Sequence, residues 1–132
     1  MVKVTTPAPP PGKPHGHIED YSFPTSAVVN EAKAWSMTIH NNGDASGVIC
    51  AGIANLPGNP GDIELYCKET GETHTIPPGY ILRIYGTRSV CSRVEVSGTV
   101  KFKKEGSYTI RLVGGHREDT KWIDDETREI NG

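Results

Sequence analysis

The stretch Trp35-Ser36-Met37-Thr38-Ile39-His40 decides the fold class of this chain. Its apolar side chains fall on every second residue, with polar residues between them. Successive side chains of a β-strand point to opposite faces, so this pattern places one face against a core and the other in water. The stretch is therefore predicted to be a half-buried β-strand.

The same alternation recurs along the chain, at residues 93–97, 100–103 and 108–112. Groups rich in Gly, Pro, Asn and Asp separate these segments and act as turn signals. They lie at residues 41–44, 57–62, 69–72, 77–79, 97–98, 104–106 and 114–115. Residues 27–34 have a helical composition but are too few to form a helix alone, so they are interpreted as the first strand or its approach. This organisation is typical of an all-β, antiparallel sandwich or barrel.

The composition restricts the partners of the chain. It has 132 residues, which is the size of one domain, and its 15 Gly and 10 Pro indicate many turns. The formal charge of −2 leaves no basic excess for phosphates, so nucleic acid is not expected as a partner. No apolar run approaches the roughly 18 residues of a membrane span. We expect protein partners and no membrane insertion.

The N-terminal residues differ in composition from the rest. Residues 7–14 read PAPPPGKP, and proline removes backbone donors and fixes φ, which excludes a helix or a central strand. The segment is predicted to form an extended polyproline-type arm or linker. We therefore divide the chain into a Pro-rich arm at residues 1–20 and a folded domain at residues 21–132.

Two segments are apolar without alternation, residues 48–54 (VICAGIA) and, almost throughout, residues 80–85 (YILRIY). A strand that is apolar on both faces needs cover on both. One interpretation is a central strand crossed by a loop or by the N-terminal arm. The other is an interface with a second subunit or a neighbouring domain. The candidate interface residues are Ile49, Ala51, Ile53, Ile81 and Tyr85, with Pro9, Pro10 and Pro11 of the arm.

Three short motifs carry a family resemblance over about residues 33–130. Residues 35–47 combine a strand, an Asn-x-Gly turn and a small residue, and residues 76–84 run from Ile-Pro-Pro-Gly into a strand. Residues 104–112 contain Gly-x-Tyr before the penultimate strand. Together they resemble the cell-adhesion-related (CARDB-like) immunoglobulin-fold modules. The resemblance implies an immunoglobulin-like antiparallel sandwich of seven to nine strands, with Tyr108 at a sheet corner, and a surface adhesion or spacer module without an active site.

Candidate chemistry is sparse. His15 and His17 are two imidazoles in a flexible segment, which falls short of a closed metal site. Asp124, Asp125 and Glu126 are the weak candidates for a cation site, but their spacing is not that of a calcium loop. Cys91 has a neighbouring cation in Arg93, which alone is thin support for a reactive thiol. We expect no catalytic residue, no metal and no cofactor.

These observations favour a non-catalytic structural or interaction module on the outside of a larger assembly, such as an adhesion-type or spacer domain of a surface protein. The first alternative is a capsid, decoration or tail subunit of a virion or filament whose arm contacts its neighbours. The second is a small enzyme or a ligand-binding sandwich. The resemblance favours an extracellular or cell-surface setting. The absence of a signal-like segment at the N-terminus favours a virion.

Overall fold

The computed structural model describes residues 2–4 and 12–131, and this part of the chain forms nine β-strands and no helix. The strands in chain order are β1 (Gly16–Ser22), β2 (Lys33–Asn41), β3 (Gly47–Asn55), β4 (Ile63–Cys67), β5 (Glu72–Ile76), β6 (Tyr80–Arg88), β7 (Arg93–Phe102), β8 (Thr109–Glu118) and β9 (Lys121–Asn131). Every strand pairing is antiparallel. The prediction of an all-β chain is confirmed.

The strands form two sheets that pack face to face. Sheet A has five strands in the order β1-β2-β7-β4-β5, and sheet B has four in the order β6-β3-β8-β9. The connections β1–β2, β4–β5 and β8–β9 stay within a sheet, and the others cross between sheets. The architecture is therefore a β-sandwich, with its core between the two inner faces.

The inner face of sheet A shows the predicted alternation. Trp35, Met37 and Ile39 are buried at 2% exposure or less, while the residues between them are half-buried. The Trp35 indole N–H donates to the carbonyls of Tyr66 and Thr99, at 3.2 Å each. A buried tryptophan thereby satisfies its one polar atom inside the sheet.

The turn predicted at Ser97 and Gly98 is wrong, because β7 runs through both residues as one strand. A Cβ atom at position 98 would collide with the Tyr66 carbonyl and press on the Trp35 indole nitrogen. Glycine is therefore required here by the close approach of neighbouring groups.

The turn predicted at Gly114 and Gly115 is also wrong, because both residues lie inside β8. The register against β9 shifts between them, which is a β-bulge. Side chains at these positions would strike the backbones of Gly16 and Ile123. Gly114 thus lets the start of β1 cross close above β8, and Gly115 lets β9 approach closely at the bulge.

The first strand extends into the segment that the sequence assigned to the arm. Residues 16–20 belong to β1, which pairs with β2 at the edge of sheet A, so the sheet begins before residue 21. Residues 27–32 are loop and lead into β2, so they are an approach to a strand. Pro9, Pro10 and Pro11 lie outside the described residues.

Tyr108 gives a test of the packing at the β7–β8 corner. It is 8% exposed, its hydroxyl donates to the Lys104 carbonyl at 2.8 Å, and its ring packs edge-on against Phe102 with centroids 4.8 Å apart. Urea denaturation should show that Tyr108→Ala lowers the free energy of unfolding by about 3 kcal/mol. Tyr108→Phe should cost about 1 kcal/mol, because only the hydrogen bond is lost.

The control for this experiment is Tyr21→Ala, which truncates a tyrosine that is 40% exposed on β1. It should change the free energy of unfolding by about 0.5 kcal/mol or less. Equal losses at positions 108 and 21 would contradict the assignment of Tyr108 to the core.

Candidate interaction face

Strand β3 is buried along almost its whole length. Ile49, Ala51 and Ile53 are at 0% exposure and belong to the core between the sheets. The expectation that these three residues form an interface with a partner is therefore corrected: they point inward, and the facing strands of the same chain fill the space around them.

The outer side of β3 carries small residues, and longer neighbours cover it. Cys50 is fully buried, and Gly52 lies beneath the Ile81 side chain and beside Val113. Arg83 extends from β6 across β3, with Nη1 3.7 Å from the Cys50 Sγ and 2.9 Å from Asp124 of β9. The sequence analysis expected a loop, the arm or a partner to cover the second face of β3. In the structure, side chains of neighbouring strands of the same chain cover it.

An aromatic pair completes this cover. Tyr85 of β6 and Trp122 of β9 reach towards each other across the sheet, and their ring centroids are 5.3 Å apart. The guanidinium carbons of Arg83 and Arg117 lie 5.5 and 5.8 Å from the Trp122 ring centroid, within cation–π range. We name Ile81, Arg83, Tyr85, Arg117 and Trp122 the aromatic–arginine face.

The aromatic–arginine face remains open to solvent in part. Tyr85 is 58% exposed and Ile81 is 37% exposed, and Arg117 is also exposed. The opposite outer face, on sheet A, carries polar residues at the matching positions of β2, namely Ser36, Thr38 and His40. The outer face of sheet A does carry Tyr66, which is 37% exposed, but the paired rings of Tyr85 and Trp122 lie on the outer side of sheet B.

Beneath the face, burial and neighbouring groups act in opposite directions on the pKa values of Cys50 and Arg83. Burial raises the pKa of the Cys50 thiol, although the hydrogen bond from Arg83 opposes this. Burial works against the charge of Arg83, but its contacts with Asp124 and Cys50 outweigh that effect and raise its pKa. Cys50 is therefore held as a neutral thiol and Arg83 as a fixed cation.

The acidic run near the C-terminus is split between two surfaces. Gly114 pairs with Glu126 and Gly115 with Asp124, so Asp125 is the extra residue of the bulge. Asp124 meets Arg83 on the outer face, whereas Asp125 and Glu126 turn towards β1. A bulge commonly redirects a side chain in this way.

Asp125 and Glu126 form a polar junction with three histidines, and we name the five residues the histidine–carboxylate seam: His15, His17, His116, Asp125 and Glu126. Asp125 accepts hydrogen bonds from the Gly16 amide at 2.8 Å and bonds His116 Nδ1 at 2.7 Å. Glu126 accepts from the Ile18 amide at 3.1 Å. The seam thereby satisfies free amides at the edge strand β1.

Hydrogen bonds to Glu126 fix the positions of two histidines of the seam. Glu126 oxygens lie 2.8 Å from His17 Nδ1 and 3.2 Å from His15 Nε2. Within residues 2–4 and 12–131, no group of three or more His, Cys, Asp or Glu side chains is arranged to hold a metal ion. The weak cation candidates Asp124, Asp125 and Glu126 are instead paired with Arg83 and with histidines.

Of the aromatic–arginine face, the sequence singled out Ile81 and Tyr85 as candidates and did not single out Arg83, Arg117 or Trp122. Arg83 lies between them on β6 and points to the same face of the strand, so the two-residue period of a strand could have identified it. Arg117 and Trp122 join the face because β8 and β9 form a hairpin in sheet B. That pairing is a long-range feature that the local pattern does not contain.

Comparisons with family models, with curated proteins and with solved structures find no match to this chain. A search of the described residues finds no helix that is both long and apolar enough to cross a membrane. A cleft of about 500 Å³ lies between the loop at residues 24–29 and the β7–β8 corner, and Lys104 and Glu105 are the charged residues that line it.

Thiol labelling tests the cover over β3. Cys91 is exposed, whereas Cys50 and Cys67 are buried, so in the folded protein an aromatic disulfide reagent should label one thiol quickly. In a Cys91→Ser background, Arg83→Ala should raise the labelling rate of Cys50 at least tenfold, because the side chain that covers its sulfur is gone.

The matched control is Arg111→Ala, which removes an arginine of the same outer face that bonds Glu129 at 2.8 Å. It should leave the Cys50 rate within a factor of two. An equal acceleration by both substitutions would indicate general loosening of sheet B and would contradict the specific cover by Arg83.

Glu126 gives the seam a defined pH dependence. Burial works against its charge, but hydrogen bonds from His17, His15 and the Ile18 amide outweigh this and hold its pKa below its ordinary value of 4.5. The unfolded chain therefore binds more protons than the folded one in this range. The stabilisation is present above pH 4.5 and is lost as the pH falls through the lowered pKa.

We expect Glu126→Gln to lower the free energy of unfolding by about 1 kcal/mol at pH 7, since the side chain is partly exposed and its charge is screened. The difference from wild type should shrink as the pH is lowered from 5 to 3. Urea denaturation across pH 3–8 measures it, with Glu105→Gln in the exposed β7–β8 turn as the control. A difference that is constant with pH would contradict the role of the carboxylate charge.

Proposed function

We propose that this chain is a non-catalytic interaction module that binds a protein partner through the aromatic–arginine face. The observation that carries the proposal is that Tyr85 remains 58% exposed although its ring packs at a tilt against Trp122, whose ring lies beside two guanidinium groups. Tyrosine, tryptophan and arginine are the residues that dominate binding energy at protein interfaces. Their clustering on one outer face favours a protein contact.

The proposal extends to the type of sandwich. The strand orders β1-β2-β7 and β3-β8-β9 resemble the A-B-E and C-F-G strands of an immunoglobulin-like domain. Tyr108 supports this, because it precedes β8 and bonds a backbone carbonyl four residues upstream, as a tyrosine corner does. In this scheme β4 and β5 are a hairpin inserted before β6. We assign the module to the outside of a larger assembly, as an adhesion-type or spacer domain of a surface protein.

The charges of the face define the chemistry of the partner. Asp124 neutralises Arg83, whereas Arg117 is exposed and its Nε donates to the Asp119 carbonyl, a neutral group. The face therefore carries a positive excess beside apolar rings. A complementary partner surface presents carboxylates next to aromatic or aliphatic side chains.

Selection of random 12-residue peptides displayed on phage tests this function. The full-length protein should enrich peptides in which Asp or Glu neighbours an aromatic or aliphatic residue. Arg117→Glu should weaken binding of the selected peptides at least tenfold, because it reverses the exposed charge. Trp122→Ala should weaken it similarly, since it removes the platform of the face.

The matched control is Tyr66→Ala, which removes a half-exposed tyrosine from the outer face of sheet A. It should leave peptide binding unchanged. Failure to enrich any acidic–apolar peptide, or equal binding by wild type and Arg117→Glu, would overturn the assignment of the face. Circular dichroism of each variant should show an unchanged sheet spectrum.

A further inference from the structure

Strand β6 is a long edge strand with an uninterrupted register. It pairs with β3 over nine residues, from Gly47 opposite Arg88 to Asn55 opposite Tyr80, without a bulge. Within the described residues, β6 has no strand on its other side. Its large side chains are also open to solvent, with Tyr80 65% and Tyr85 58% exposed. A flat, apolar edge of this kind is a template for another strand.

The other three edge strands are protected. β1 contains a register shift between Ile18 and Asp20, and carboxylates of the seam accept its amides. β9 contains the Asp125 bulge and five charged residues within 124–129. β5 has five residues, of which Glu72, Thr73, His74 and Thr75 are polar. Bulges, charges and short length are the devices by which sheets avoid edge pairing.

The two charged residues of β6 do not provide such protection. Arg83 leans across sheet B to Asp124, away from the free edge. The Nε of Arg88 donates to the Arg93 carbonyl at 2.7 Å. Both guanidinium groups are thus engaged within the chain, and the edge between them is apolar.

The sequence of β6 is complementary to itself in the antiparallel direction. If Ile84 lies on a twofold axis, Arg83 stands opposite Tyr85 of the second copy, and Tyr80 stands opposite Arg88 of the second copy. Because both guanidinium groups stay on their own chain, it is the aliphatic stems of Arg83 and Arg88 that lie opposite the two tyrosines, and apolar cross-strand contacts of this kind stabilise antiparallel strands. Residues of the outer face meet outer-face residues, so the apolar pattern is preserved across the junction.

We propose that two copies of this chain pair through β6, antiparallel and centred on Ile84, to form a dimer with one continuous eight-stranded sheet. This goes beyond the binding of a partner to the aromatic–arginine face, because it uses the backbone edge. The twofold arrangement places the faces of both copies on one surface, which makes the module bivalent.

Sedimentation velocity of the full chain, from about 1 µM to 1 mM, tests the pairing. We expect a reversible shift from monomer to dimer. Tyr85→Lys should raise the dissociation constant at least tenfold, because it places Lys opposite Arg83 twice per dimer. Tyr66→Lys, at a tyrosine of the interior strand β4, should leave it unchanged. Arg117→Glu should also leave it unchanged, so that loss of peptide binding and loss of dimerisation are distinguishable.

Cysteine cross-linking tests the register. In a Cys91→Ser background, Ile84→Cys should form an intermolecular disulfide under mild oxidation, because the two residues face each other at the axis. Leu82→Cys is the matched control on the same strand and face, and it should cross-link less than one tenth as much. A monomer at all concentrations, a dimer insensitive to Tyr85→Lys, or equal cross-linking at positions 82 and 84 would overturn the proposal.

Discussion

Strand β3 must be covered on both faces, and the arrangement of the other strands depends on this requirement. Its inner side chains Ile49 and Ile53 fill the centre of the sandwich, where each methylene withdrawn from water contributes roughly 0.8 kcal/mol. On the outer side of β3, the residues Cys50 and Gly52 are too small to shield the strand's backbone from water. Long side chains from both edges of sheet B therefore cross the middle of the sheet and exclude water from it.

This cover also orders the side chains of the outer face that is proposed to bind a partner. Arg83 buries its aliphatic stem over β3 while its guanidinium reaches Asp124 and the Trp122 ring. Removing Asp124 would leave a partly buried charge without compensation, so the pair holds Arg83 in one orientation. Because the Tyr85 and Trp122 rings pack against each other, the proposed binding would cost these side chains little further rotamer freedom.

The sequence predicted strands in both sheets, but only where the pattern was strong. Strands with one wet face, such as β2 and the first part of β8, show alternation, and β3 shows a continuous apolar run because it is buried on both faces. The short strands β4 and β5 have neither pattern over a sufficient length, and they were not predicted. Turns were wrongly predicted at Gly98 and Gly114, because glycine occurs both in turns and at close backbone contacts, and a local pattern does not distinguish the two. The separation of Asp124 from Glu126 depends on a bulge in the β8–β9 pairing, which is invisible before the register is known.

The two lateral sides of the sandwich differ in how their edge strands are protected, and Tyr85 lies on the unprotected one. At one side, Asp125 and Glu126 satisfy the amides of β1, so this side is closed to further strands. At the other side, β6 offers its backbone and also supplies Tyr85 to the outer face. A strand added at β6 would extend the surface on which Tyr85 lies, whereas Arg117, on the β8–β9 hairpin, belongs to the face alone. The proposed edge pairing and the proposed face binding would therefore use adjacent but separable surfaces, because Tyr85 belongs to both and Arg117 only to the face.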